Sequence, residues 1–464
     1  MARQPSRPRV PAALPGLLLA LLLAGCAALP AAERPDVPVP ANWSRPAGQP
    51  GPAAAEGADW WDSFGSRELS RLVAAAYGAN PDLAAAAYRI AQASALVRVA
   101  GADLYPSVEG AGSGSRSWRG EGGNRTTDSF RGTFDASYEV DLWGRNRLGA
   151  EAALAERIAS EYDREAVALS LSAEVATAYF QYLSLGDRIE RTRRILATAE
   201  RVLALVEQQE ALGVASALEL AQQRAAVAAL RATLPQLEQR RAETRNALAT
   251  LLGRPPGDLR IEASTLATVE LPRVAADLPA DLLERRPDLR SREAALAAAS
   301  ADVGAARAAM LPSIRLTGST GFASDALSEL FSPAGLLANL ASGLVAPVFD
   351  AGRLAGQRDF SEARRAELVQ AYRGAVLAAF RDVEDALAAI EFLAATEEAQ
   401  RAAAAAARRA YELAEARYRA GVVSFLTVLE TQRTLFQQED TLEQTRLARL
   451  NAAVSLYRAL GGGW

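Results

Sequence analysis

Residues 129–142 read SFRGTFDASYEVDL. From Phe130 onward the run alternates strictly. Phe130, Gly132, Phe134, Ala136, Tyr138, Val140 and Leu142 are apolar or small, while Arg131, Thr133, Asp135, Ser137, Glu139 and Asp141 are polar or charged. A period of two places these sets on opposite faces of one β-strand, dry on one side and wet on the other. Most of the chain beyond it is rich in Ala, Leu, Glu and Arg, which are strong helix formers. A mainly helical chain therefore carries a long amphipathic strand. The chain has 464 residues, 50% hydrophobic but only 6% aromatic, so alanine supplies much of its apolar content. It has no His and no Lys, and its net charge of −4 excludes the basic stripe of a nucleic-acid binder.

The N-terminus carries an address. Arg3, Arg7 and Arg9 precede an apolar run from Leu14 to Ala24, a charged region followed by an apolar one too short to span a bilayer comfortably. The run ends in Leu23-Ala24-Gly25-Cys26, which resembles the lipobox of bacterial lipoproteins. That resemblance implies a signal peptide over 1–25 and acylation of Cys26, including palmitate. Ala27, rather than Asp, then implies sorting to the outer membrane. Cys26 is the sole cysteine, so no disulfide within the chain is available. Removing the three signal-region arginines leaves a net charge of −7. Residues 26–58, rich in Pro and Ala, read as an extended lipid-anchored tether, with the folded body beginning near Trp60-Trp61.

The body is duplicated. Asn80-Pro81-Asp82-Leu83 recurs as Arg286-Pro287-Asp288-Leu289, an offset of 206, as does Tyr105-Pro106-Ser107-Val108 as Leu311-Pro312-Ser313-Ile314. Gly144-Arg145 recurs as Gly352-Arg353, Gly213-Val214-Ala215-Ser216 as Gly421-Val422-Val423-Ser424, and Leu252-Gly253 as Leu460-Gly461, each at 208. Landmarks in one order at near-constant spacing define two copies of one unit.

Each copy has the order helix–strand–strand–long helix–helix. Repeat 1, residues 59–253, has strands expected at 105–118 and 129–142, a long helix at 145–210 and a return helix at 216–252. A mixed equatorial connector covers 254–280. Repeat 2, residues 281–464, has strands at 313–322 and 336–349, a long helix at 353–420 and a return helix at 424–460. Helices of roughly 65 residues at ~1.5 Å per residue reach on the order of 100 Å. Their apolar positions keep coiled-coil spacing, as in Tyr162, Ala166, Leu169, Ala173, Ala176, Phe180 and Leu183.

Strands of about ten residues or slightly more, wet on one face and dry on the other, suit a transmembrane β-barrel. Four strands cannot close one, and open edges in lipid leave backbone groups unpaired at several kcal/mol each. The chain must pool strands with copies of itself: two copies give eight strands and a filled interior, three give twelve and an open lumen.

This architecture resembles the TolC-type outer-membrane efflux proteins, and with the lipobox their OprM-like lipoprotein branch. The residues carrying the resemblance are Asp141-Leu142-Trp143-Gly144-Arg145, the Tyr105-Pro106 and Leu311-Pro312 pairs, and Arg417 to Arg433, together with their order and duplication. It implies a homotrimer, mainly α, with a 12-stranded transmembrane β-barrel continued by a periplasmic α-helical barrel. It also implies partners: a periplasmic adaptor (membrane fusion protein) and an inner-membrane pump of the RND type. The hairpin tips at Gly213, Val214, Ala215 and Ser216 and at Gly421, Val422, Val423 and Ser424 would meet the adaptor. Leu426 and Glu430 match the positions of pore-closing rings, although the family more often has Asp where Glu430 stands. Tyr418 matches a tip latch, with Glu219 as the expected acceptor and Arg417 and Arg419 nearby.

Catalytic chemistry is scarce. Without His, and with the only Cys acylated, no Ser-His or Cys-His nucleophile is available. A zinc site is not expected, and no Gly-rich phosphate loop precedes a helix. No cofactor and no nucleic-acid partner are expected, and Asp382, Glu384 and Asp385 read as surface charge. Beside the efflux duct stand two alternatives: the outer-membrane component of a type I protein-secretion system, and a periplasmic coiled-coil lipoprotein without a channel.

Overall fold

A computed structural model describes residues 34–45, 59–119, 125–262, 264–272, 274 and 279–462. Cys26 and the signal region lie outside the described residues. In chain order the main elements are α1 (Arg67–Ala79), α2 (Pro81–Ala102), β1 (Ser107–Arg119), β2 (Arg125–Val140), α3 (Arg145–Ala211), α4 (Ala217–Leu251), α5 (Leu282–Arg285), α6 (Pro287–Ala308), β3 (Ser313–Ser324), β4 (Leu336–Val345), α7 (Arg353–Arg419) and α8 (Phe425–Leu460). The chain forms two compact units. Of the described residues, one comprises those within 34–35, 92–158 and 293–370; the other comprises those within 36–91, 159–292 and 371–462. The long helices α3 and α7 each contribute residues to both.

The first unit holds one antiparallel sheet in the order β1-β2-β3-β4. Its central pairing, β2 with β3, joins the two repeats, with Tyr138 opposite Leu316 and Phe134 opposite Thr320. The register sorts the faces. Phe130, Phe134, Tyr138, Leu316, Phe322, Leu340 and Leu344 share one side, and Glu109, Arg131, Asp135, Glu139 and Arg315 share the other. Among the described residues much of the apolar side lies open, with Phe134 65% and Leu340 85% exposed, while Phe322 meets Phe331 edge-on at 5.6 Å. One glycine on this side is explained by packing, since a Cβ at Gly114 would meet the ring of Phe130 at 3.2 Å. On the polar side the Arg145 and Arg315 guanidiniums approach Glu139 at 3.4 and 3.8 Å. Among the described residues the end strands β1 and β4 each keep an unpaired edge.

The bounds differ from the sequence reading where local chemistry intervenes. β2 starts at Arg125, earlier than expected, because the hairpin keeps its ladder as far as Arg119 opposite Arg125. It stops at Val140, where the amide of Leu142 turns back to the Val140 carbonyl at 2.8 Å. β4 ends at Val345 rather than 349, since Pro347 has no amide to donate to a ladder. The duplicated Gly-Arg junctions hide a shared device. Asp141 accepts the amides of Asn146 and Arg147 at 3.1 and 2.9 Å, and Asp350 accepts those of Gly352 and Leu354 at 3.0 Å each. Both carboxylates satisfy orphan amides at a helix N-terminus. Trp143 donates from Nε1 to the Pro312 carbonyl at 2.7 Å, tying the exit of β2 to the entry of β3.

The second unit is helical. Trp60, Trp61 and Phe64 plug its core: Trp60 stacks on Tyr457 at 5.3 Å, and Phe64 meets Phe180 at 5.1 Å. Of the seam positions, Ala173, Ala176, Phe180 and Leu183 are buried. The connector is fastened rather than free. Leu259, Leu266 and Val274 enter the core, and Asp187 accepts the Leu266 amide at 2.8 Å. Gly253, at φ +64°, lets the chain pass so close to α1 that a Cβ would lie 2.1 Å from the Ala79 carbonyl oxygen.

Residues 36–45 correct the expectation of a plain tether. Trp43 packs edge-on against Phe380 at 6.1 Å. The Ser44 amide donates to Glu384 at 2.8 Å, and its hydroxyl donates to the second oxygen of the same carboxylate. Arg45 bonds Glu391 at 2.9 Å and lies over the Phe392 ring. Glu384 is thus a clasp and not idle surface charge. Replacing it with Ala removes both acceptors of Ser44, and hydrogen exchange at the Ser44 amide is expected to accelerate roughly tenfold, the signature of a lost local closure. Unchanged exchange would show that Trp43 and Arg45 hold the strap without it.

Candidate functional site at the helical turns

Both long helices end in a glycine at positive φ, Gly213 at +71° and Gly421 at +70°. These are αL helix ends, which residues other than Gly enter only at a cost. After Gly213 the amides of Val214 and Ala215 return to the Gln209 carbonyl at 2.8 and 3.1 Å. After Gly421 the Val422 amide returns to Arg417 at 2.9 Å. The two turns differ in how the next helix is capped. Ser216 and Glu219 form a reciprocal capping box. Ser424 caps α8 with no side-chain bond to the backbone. Val214, Leu212 and Val422 project apolar side chains into solvent from these turns.

The latch differs from its expected form. Glu219 does not accept from Tyr418; its carboxylate is taken by the Ser216 amide at 2.8 Å. The Tyr418 hydroxyl donates instead to Gln209 Oε1 at 2.8 Å, so the ends of α3 and α7 are tied directly. Arg417 enters only through its carbonyl, and Arg419 pairs with Glu415 on its own helix. Burial, and next the charge of Glu219, push the Tyr418 hydroxyl above its ordinary value and keep it a donor. The acceptor escaped the sequence reading because Glu219 and Gln209 both stand near the turn, and only the capping box removes Glu219. Tyr418→Phe is expected to cost about 1 kcal/mol of closure. Single-channel recording checks this as a severalfold rise in open time, and identical gating would exclude a latch.

Leu426 and Glu430 are one turn apart on α8, and both are exposed. Their neighbours Phe425, Val428 and Leu429 are buried against Val202, Val206, Leu220 and Tyr411, which fixes the rotation of α8. The Glu430 side chain makes no ion pair among the described residues. Further along, α8 is zipped to its neighbours by charge. Arg188 holds Asp440 with two bonds of 2.6 and 3.1 Å, Arg191 reaches Glu443 at 2.6 Å, and Arg408 pairs with Glu439. Glu397 is shared by Arg401, Arg446 and Arg449. Apart from Glu397 with Arg401, an i,i+4 pair on one helix, none of these pairs is legible in the sequence. Among the described residues no group of three or more metal-ligating side chains is gathered, and no helix is long and apolar enough to cross a membrane.

An unclosed four-stranded sheet with a bare apolar face, on a chain whose two long helical hairpins end in apolar glycine turns, defines the protomer of a strand-pooling membrane channel. Known proteins agree with this class. The chain belongs to the outer membrane efflux protein family, whose model matches residues 72–254 and 278–462. It is 42% identical over 459 residues to the pyoverdine export outer membrane protein OpmQ of Pseudomonas putida, covering 97% of each chain. Among solved structures it resembles that of CusC with a TM-score of 0.87 and 32% identity, covering 94% of this chain and 100% of that one. It also resembles the open state of the Neisseria gonorrhoeae MtrE outer membrane channel, with a TM-score of 0.86 and 32% identity, covering 94% and 98%.

Proposed function

We propose that three copies of this chain form the exit duct of a tripartite efflux system. Twelve strands close a barrel in the outer membrane, and the helical hairpins line a periplasmic conduit. Cargo enters from an inner-membrane pump of the RND type through a periplasmic adaptor that meets the turns at 213–216 and 421–424. The duct performs no catalysis. Acylated Cys26 anchors each protomer, and residues 36–45 fasten the anchored segment to the helical unit. The rings of Leu426 and Glu430 close the inner end.

One observation carries this reading: among the described residues the sheet has two unpaired edges and a largely open apolar face. Water solvates such a face poorly, and lipid forbids such edges, so further strands must complete it. The test is mass measurement of the full-length, detergent-solubilised protein, followed by planar-bilayer recording. Three protomers, each lighter than the 49.1 kDa of the unprocessed chain by the cleaved signal peptide, and a steady ion current are expected. A stable monomer that passes no current overturns the duct. Cys26→Ala is expected to abolish incorporation of labelled palmitate while leaving the trimer intact.

A further inference from the structure

The duplication gives a ruler for the contact that the four strands leave open. β1 and β3 are the first strands of the two repeats, 206 residues apart, and β2 and β4 are the second strands, 208 apart. These offsets hold pair by pair within the sheet. In the first hairpin Ser107 lies opposite Ser137 and Arg116 opposite Asp128. Carried forward by the offsets, these become Ser313 opposite Val345 and Phe322 opposite Leu336, which are the pairs the second hairpin makes. No residue is gained or lost between the repeats along these strands.

The join between the repeats is β2 on β3, the second strand of one unit on the first strand of the next. A ring of copies makes the same kind of join between chains, with β4 of one copy on β1 of the next. Shifting the β2–β3 register by the same offsets gives the register of that contact. Gly132 opposite Phe322 becomes Leu340 opposite Arg116, and Ala136 opposite Gly318 becomes Leu344 opposite Gly112. Arg131 opposite Ala323 becomes Asn339 opposite Ser117, and Thr133 opposite Gly321 becomes Ala341 opposite Ser115.

Two observations outside the offsets agree. The first is the match of faces. Leu340 and Leu344 fall on the side of β1 that holds Gly112, Gly114 and Trp118, the apolar side of the sheet, while Asn339 and Ala341 fall on the side of Ser115 and Ser117. A slip of one residue would turn both leucines to the wet face. The second lies in the helices attached to the open strands. Leu96 and Val99 of α2, which leads into β1, are exposed, and so is Phe360 of α7, which follows β4. Phe360 is 66% exposed, whereas Ala152, its counterpart in α3, is 6% exposed. Bare apolar side chains thus stand on the helices next to the two unpaired edges, the places that a neighbouring copy would cover.

Resting on the duct reading, we propose that β4 of one copy pairs antiparallel with β1 of the next in this register, Asn339 opposite Ser117 and Leu344 opposite Gly112. The ladder runs from Ala338 opposite Trp118 to Val345 opposite Ala111 and stops short of Pro347, which has no amide to give.

Cysteine pairs read the register. Directly opposite residues have Cα atoms about 4.5–5.5 Å apart, within reach of a disulfide. Residues two places off are roughly 7–8 Å apart and out of reach. The full-length protein carrying Asn339→Cys with Ser117→Cys, or Ala341→Cys with Ser115→Cys, is oxidised in lipid nanodiscs and run on a denaturing gel. Within one chain β1 and β4 are three strand spacings apart, on the order of 14 Å, so every link between these positions joins two copies. Each pair is expected to give a covalent trimer, in roughly tenfold or greater yield over the crossed pairs Asn339→Cys with Ser115→Cys and Ala341→Cys with Ser117→Cys. The crossed pairs report a slip of two residues in one direction or the other. The four single variants give the background, and the mass of every reduced variant checks that it is a trimer. A crossed pair that links better than both direct pairs overturns the register and leaves the duct standing. So does a conducting trimer in which no pair links. A monomer that neither links nor conducts removes the duct, and this contact with it.

Discussion

Replacing Leu426 and Glu430 together with Ala is expected to raise single-channel conductance in planar bilayers by several-fold. The two side chains sit at i and i+4 on α8, on the face left exposed when Phe425, Val428 and Leu429 are buried. In a three-fold assembly this face presents one apolar ring and one ring of three carboxylates. A dry ring resists the passage of hydrated ions, and a carboxylate ring favours cations. The single variants divide these effects. Leu426→Ala enlarges the current with little change in ion preference. Glu430→Gln keeps the bore and lowers cation preference. A double variant whose current and selectivity match the wild type would remove the gate from these positions.

The second large effect falls on the charge zipper. Glu397 is almost wholly buried and shared among Arg401, Arg446 and Arg449, which joins α7 to α8. Removing the shared carboxylate leaves three guanidiniums close together, Arg401 half exposed and Arg446 and Arg449 less so. Glu397→Ala is expected to destabilise the helical unit by about 3 kcal/mol, the lower end for a broken buried pair because the arginines keep some solvent. Urea unfolding followed by circular dichroism measures this, and a loss below about 0.5 kcal/mol would place the pair with ordinary surface bridges. The same group sets an acid limit. Burial pulls the Glu397 carboxyl up, but Arg449 first, then Arg401 and Arg446, outweigh it and hold the group below its ordinary value. The stabilisation is therefore full above the unfolded value near 4.5 and is lost as pH falls through the lower folded value. Wild type and Glu397→Gln are expected to differ most at neutral pH and to converge in strong acid.

Much of this architecture is written in local periodicity. The alternation of 130–142 fixes a two-faced strand, and 67-residue helices arise from long runs of formers without an early breaker. The two turns come from Gly213 and Gly421, because a helix that must reverse sharply needs an αL residue. The duplication fixes the element order. Its four strands state, by their number, that one chain cannot seal a barrel.

The partners were not written there. With 51 basic and 55 acidic residues, the sequence permits far more ion pairs than the fold uses. Glu384 looked like solvated charge until Ser44, far off in sequence, closed on it. Glu219 looked like the acceptor of Tyr418 until its own helix start claimed it, leaving Gln209. The sequence by itself determined the elements, their order and the need for further copies, because backbone propensity and periodicity act over a few residues. Only the tertiary structure decided which side chains meet, because that depends on helix rotation and on which neighbour reaches a group first.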